Sequence, residues 1–151
     1  METIKIEIPR GYEVESFDRN SGELKLKEKP KPVTERIKTI DDVLADQDLS
    51  TTDLDEWKNV LTEDEVAYRL LKLLAKSLNE GWEPDWDDRS QYKYYPWFEM
   101  GGSSGFRFFD YDFWLSCSGV GSRLCFKSRK LAEHAATAFQ DLYKDYMLIN
   151  D

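Results

Sequence analysis

Residues 62–81 constrain this chain more than any other segment. Thr62 and Glu65 have the spacing of a capping box, in which the N-cap and N3 side chains satisfy each other's orphan backbone donors. Glu63 and Asp64 place negative charge where the helix dipole favours it. Val66, Leu70, Leu73 and Leu74 then recur at the helical period, and Ala67, Leu71 and Leu78 widen the stripe. Asn79-Glu80-Gly81 supplies the stop, with Gly81 as the left-handed residue beyond the last turn. A helix with so broad an apolar face has to be covered, so the rest of the chain must build a core around it.

The segments on either side predict how. Tyr92 to Phe98 reads as a strand, Gly101 to Gly105 as a flexible turn, and Phe106 to Cys117 as a second strand. In that strand Phe109, Tyr111, Phe113 and Leu115 fall on one side, and Phe106, Phe108, Asp110, Asp112 and Trp114 on the other. Ser118 to Ser122 turns the chain into a third strand, Arg123 to Lys127. Ser128 caps a last helix from Arg129 to about Tyr146, with Leu131, Ala135, Ala138, Phe139, Leu142 and Tyr146 inward. Upstream, Ile4, Ile6 and Ile8 alternate with polar residues, as do Leu24 and Leu26. With the turn signal Asp18–Gly22 they predict a hairpin whose long connection carries Tyr12, Val14 and Phe17. Pro30 and Pro32 predict an extended linker. Thr39 caps a short helix with Val43 and Leu44 inward; Asp46 to Asp55 reads as irregular, and Trp57, Val60 and Leu61 return to the core. The expectation is an α+β fold: an N-terminal β-hairpin arm (1–29), a linker (30–38), and a core domain (39–151). That core holds a short helix, a long amphipathic helix, an antiparallel three-stranded meander and a C-terminal helix.

The 151 residues suffice for a core without disulfides or metals, and 14% aromatic residues argue against disorder. No apolar run reaches the length of a membrane span, and Met1 to Glu7 does not read as a secretory signal. Cys117 and Cys125 read as reduced thiols. The net charge of −9 is concentrated: residues 39–65 hold ten carboxylates against one cation, Lys58. Such a field repels nucleic-acid phosphates and attracts basic partners. The plainer account is that these ten carboxylates belong to the first turns of helices.

No catalytic set emerges. The one histidine, His134, falls in the last helix beside Lys130 and Ala138 and reads as a boundary residue. Cys117, Cys125 and His134 match no standard zinc spacing. Asp110 and Asp112, with Glu83, Asp85, Asp87 and Asp88, have the chemistry to hold Mg²⁺ or Ca²⁺, but equally that of strand-edge solubility residues. Gly101 to Gly105 lacks the ending of a phosphate-binding loop. Arg123, Lys127, Arg129 and Lys130 surround the N-terminus capped by Ser128 and suit either an external anion or ion pairs with segment 39–65. Trp82, Trp86, Tyr94, Tyr95 and Trp97 suit either a core or an exposed interaction patch.

Several segments carry a family likeness: Val33 to Thr39, Leu78 to Trp86, Tyr94 to Phe98, Gly121 to Ser128, and Leu131-Ala132-Glu133 through Phe139, Leu142, Tyr143, Tyr146 and Ile149. The chain resembles small acidic proteins carried by temperate phages and integrated mobile elements of gut bacteria. The resemblance implies a bacterial cytoplasm or a virion and supplies no site residues. The leading expectation is a non-enzymatic binding protein without cofactor or metal, engaging a host or phage protein through Asp41, Asp42, Asp53 and Asp55 and the aromatic loop. A basic, nucleic-acid-handling partner fits that charge. The alternatives are a virion or assembly component, and an anion or nucleic-acid binder at Arg123, Lys127, Arg129 and Lys130.

Overall fold

A computed structural model describes residues 3–103 and 105–149. Met1 and Glu2 of the leader reading, and Ser104 of the glycine turn, lie outside the described residues. Among the described residues the chain is mixed α and β, with six helices and two separate two-stranded antiparallel sheets. It divides into two compact units, Met1–Pro32 and Val33–Asp151.

The first unit is a hairpin, β1 (Tyr12–Phe17) against β2 (Leu24–Glu28), with Val14 opposite Leu26 and Phe17 opposite Leu24. The predicted turn is in place: the Asp18 carboxylate accepts from the Asn20 N–H and the Ser21 hydroxyl at 2.8 and 2.9 Å, and Gly22 takes φ +73°. The predicted first strand is corrected. Ile4, Ile6 and Ile8 lie outside the sheet and are exposed, and the expected connection residues Tyr12, Val14 and Phe17 form the strand instead. The tight turn explains this, because Asp18 N–H closes on the Glu23 carbonyl at 2.9 Å and zips up the residues immediately before it.

The second unit is organised by α4 (Glu63–Asn79), whose Leu71, Leu74 and Leu78 are buried in the main core with Val43, Phe126, Leu131 and Phe139. The helix ends as predicted, with both Glu80 and Gly81 at positive φ. Three short helices precede it. The helix α1 (Val33–Arg36) overturns the expectation of an extended linker there, since Val33 and Ile37 are core residues. The predicted short helix is α2 (Ile40–Asp46), with Thr39 and Asp42 in a capping box. Of the stretch Asp46 to Asp55, predicted irregular, residues 51–55 open a helix, α3 (Thr51–Val60), started by a second capping box, Ser50 with Asp53. A second, smaller apolar cluster joins Leu44, Leu54, Val66 and Leu70.

The predicted meander is not formed. The strands β3 (Lys93–Glu99) and β4 (Arg107–Trp114) make a separate hairpin, and Arg123 to Lys127 contributes only one bridge, Phe126 to Tyr94. Phe126 N–H donates to the Tyr94 carbonyl at 2.7 Å, and Tyr94 N–H donates to the Phe126 carbonyl at 3.0 Å. On the other side of this segment the buried Asn79 side chain takes the place of a strand: its Nδ2 donates to the Cys125 carbonyl at 2.9 Å, and Lys127 N–H donates to its Oδ1 at 3.0 Å. The segment's backbone groups are thereby satisfied without a third strand. The outer edge of β4 is likewise met by side chains. Tyr111 and Phe113 N–H groups donate to Asp110 Oδ1 and Asp112 Oδ1 at 2.8 and 2.7 Å, and Phe108 N–H donates to Gln140 Oε1 at 3.2 Å.

The predicted last helix is two helices, α5 (Arg129–Ala138) and α6 (Gln140–Met147), broken at Phe139 where the backbone leaves the helical region (φ −125°, ψ 33°). Phe139 is buried, and the break turns Tyr143 rather than Tyr146 into the core; Ala138 and Tyr146 are exposed. No helix of the described residues is long and apolar enough to cross a membrane.

Candidate functional site

The capping chemistry decides which carboxylates of segment 39–65 are available. Asp42 Oδ2 accepts from the Lys38 and Thr39 N–H groups at 2.9 Å each, and Asp53 Oδ2 accepts from the Ser50 N–H and hydroxyl at 2.8 and 2.6 Å. These bonds favour the ionised form and hold both carboxyls below the ordinary aspartate range. Thr62 donates to Glu65 and Asp64 in the same way. Asp42 and Asp53 therefore serve helix starts. Asp41 and Asp55 take part in no cap and no ion pair among the described residues.

Asp41 stands on the rim of a groove of about 650 Å³ between α2, α3, α4 and α6. Its floor is apolar, from Leu54, Val66, Leu70 and Leu142. Its rim carries four carboxylates, Asp41, Glu63, Asp141 and Asp145, against one cation, Lys58. A neighbouring hollow of about 450 Å³ shares Glu63 and Asp145 and continues to Asp64, Met147 and Leu148. Burial, then the nearby Glu63 and Asp141 carboxylates, push the Asp145 carboxyl above the ordinary aspartate range, and Lys144 offsets part of that. The acidic field of the 39–65 segment is thus joined in space by two aspartates from the last helix that sequence reasoning did not single out. Their signal was present as the i, i+4 spacing of Asp141 and Asp145 flanking Leu142, which places two charges beside one apolar anchor.

The aromatic residues do not form one patch. Tyr95 is 3% exposed and Trp97 is 53% exposed. Tyr94 is half-buried against the main core. Trp86 donates its indole N–H to Ser122 Oγ at 2.8 Å, and its ring lies 5.4 Å from the Lys93 ammonium. Lys93, also unforeseen, is wholly buried and donates from Nζ to the Asp88 and Leu115 carbonyls at 3.0 and 2.9 Å. It ties the 84–92 loop to the 115–122 turn. Its signal was a lysine at an inward position of an aromatic strand, where only a fully bonded ammonium is tolerated.

The four basic residues are also separated in role. Lys127 Nζ bonds the Asn79 carbonyl at 3.0 Å and the Glu80 carboxylate at 3.2 Å, and Glu80 also holds Arg36 at 2.7 Å. Arg129 pairs with Glu133 at 2.8 Å and lies over the Tyr111 ring at 4.5 Å. Lys130 is exposed, and Arg123 faces a different cleft, beside Trp82. None of the four pairs with segment 39–65 among the described residues. His134 Nε2 sits 2.7 Å from the Ile37 carbonyl, tying α5 to the residue after α1. Asp110 and Asp112 bond their own strand's edge, and no group of three metal-ligating side chains occurs among the described residues. Comparison with family models, curated proteins and solved structures finds no match to the chain.

Proposed function

We propose that this chain is a non-enzymatic binding protein whose groove between α2, α3, α4 and α6 takes a basic amphipathic segment of a partner protein. The observation that carries this reading is the pairing of an apolar floor with a four-to-one excess of carboxylates on the rim. A helix presenting leucines on one face and lysines beside them would bury the first on Leu54, Val66, Leu70 and Leu142 and place the second against Asp41, Glu63, Asp141 and Asp145. The family resemblance supports a phage or mobile-element setting, in which the partner would be a host or phage protein, and the charge of the rim suits a basic, nucleic-acid-handling one.

The test is binding of a fluorescent synthetic Leu/Lys amphipathic helix to the full chain, against a Leu/Glu counterpart. The Lys helix is expected to bind and the Glu helix to fail. Asp141→Lys with Asp145→Lys should weaken binding by about tenfold or more, and raised salt should weaken it further. Equal binding of both helices, or indifference to the two substitutions, would remove the groove from the account.

A further inference from the structure

A second cleft, independent of the acidic groove, has the opposite character. It measures about 630 Å³ and lies between the C-terminal half of α4, the turn after it, and residues 122–123. Lys72, Lys76 and Arg123 converge on it, with Glu83 as the one carboxylate and Trp82 in its wall. Here none of the three forms an ion pair among the described residues; Lys72 only lies over the Tyr68 ring at 4.7 Å. Lys76 in the last turn of a helix is accounted for by the dipole, but that does not bring Arg123 or Lys72 to the same cleft. Like charges gathered without a partner repel, and a bound anion removes that cost. Ser122 adds a donor: its Oγ already accepts from the Trp86 indole N–H, which leaves its own proton to give.

We infer that this cleft binds a phosphorylated small molecule bearing a planar ring, of the mononucleotide class. The cations and the Ser122 hydroxyl would take the phosphates, and Trp82 with the apolar wall of Leu73 and Pro84 would take the ring. The volume lies within the range of small-molecule sites and far exceeds what an inorganic phosphate fills. A nucleic-acid polymer fits less well, because the net charge of −9 opposes a long polyanion while a small ligand feels mainly the local cations.

Calorimetric titration of the full chain with ADP, adenosine and orthophosphate, at low salt, tests this. ADP is expected to bind at sub-millimolar concentration, with adenosine and orthophosphate each at least about tenfold weaker. Lys76→Gln with Arg123→Gln should weaken ADP by about tenfold or more, with the fold intact by circular dichroism because Lys76 and Arg123 are exposed. Glu83→Gln should tighten it by about two- to threefold. No heat with millimolar ADP would overturn the inference. So would ADP binding untouched by the double substitution, orthophosphate binding as tight as ADP, or a single-stranded oligonucleotide binding more tightly than ADP.

Discussion

Asn79 holds Lys127 twice: Lys127 N–H donates to the Asn79 side-chain oxygen at 3.0 Å, and Lys127 Nζ donates to the Asn79 main-chain carbonyl at 3.0 Å. The end of the organising helix is thereby stitched to the segment that leads into α5. Asn79→Ala strips partners from the buried Cys125 carbonyl and the Lys127 N–H, each worth about 1–3 kcal/mol when left unpaired. A loss of about 2–4 kcal/mol is expected from the urea midpoint. Asn79→Asp keeps an acceptor but turns a second oxygen toward the Cys125 carbonyl, and is expected to do no better than alanine.

Lys93 is the second buried tie. Lys93→Ala opens a cavity and orphans the Asp88 and Leu115 carbonyls, and is expected to cost about 2–4 kcal/mol in chemical denaturation. Lys93→Met fills the volume without the bonds and should recover part of that loss. If the two variants melt alike, the ammonium's hydrogen bonds rather than its volume carry the effect.

Acid should separate the carboxylates by role. Asp145 keeps its proton to a higher pH in the folded chain than in the unfolded one, so its favourable contribution is complete below the unfolded value of 3.8 and is lost as pH rises through its raised pKa. Asp145→Asn is therefore expected to melt higher than the parent at neutral pH and to lose that advantage in acid. Asp42 and Asp53 run the other way. Their lowered pKa values mean that the stability they add is present above 3.8 and lost as pH falls through the folded value. Asp42→Asn should melt lower than the parent at neutral pH, with the gap closing at low pH.

The two thiols should differ sharply toward an aromatic disulfide reagent under native conditions. Cys117 is exposed, whereas Cys125 is buried, with burial pushing its thiol up to about 11. One equivalent should react quickly and the second only on adding denaturant.

Local signals carried the parts of the fold that are local. The Thr62 start, the Leu70–Leu74 stripe and the Gly81 stop form one continuous helix because each residue's partner lies within a turn of it. The capping box of Ser50 and Asp53 has the same spacing, but the polar composition of 46–55 masked it. Non-local pairing was less legible. The choice between Ile4–Ile8 and Tyr12–Phe17 as strand rests on which segment the tight turn at Asp18 zips first, and alternation marks both equally. The missing third strand depended on Asn79, 46 residues away from Cys125, whose amide replaced a ladder. The acidic groove was half legible: Asp41 was foreseen, but Asp141 and Asp145 join it only because the chain bends at Phe139.

Asp110 and Asp112 have a consequence at high concentration. A two-stranded ribbon that leaves Trp97, Phe109 and Phe113 in solvent is the kind of surface along which copies of a chain zip into fibrils. Here the free donors at 111 and 113 are already occupied by carboxylates of the same ribbon, and a newcomer would meet two negative charges where it needs a foothold. The aromatic rings can thus stay in water without committing the protein to aggregation.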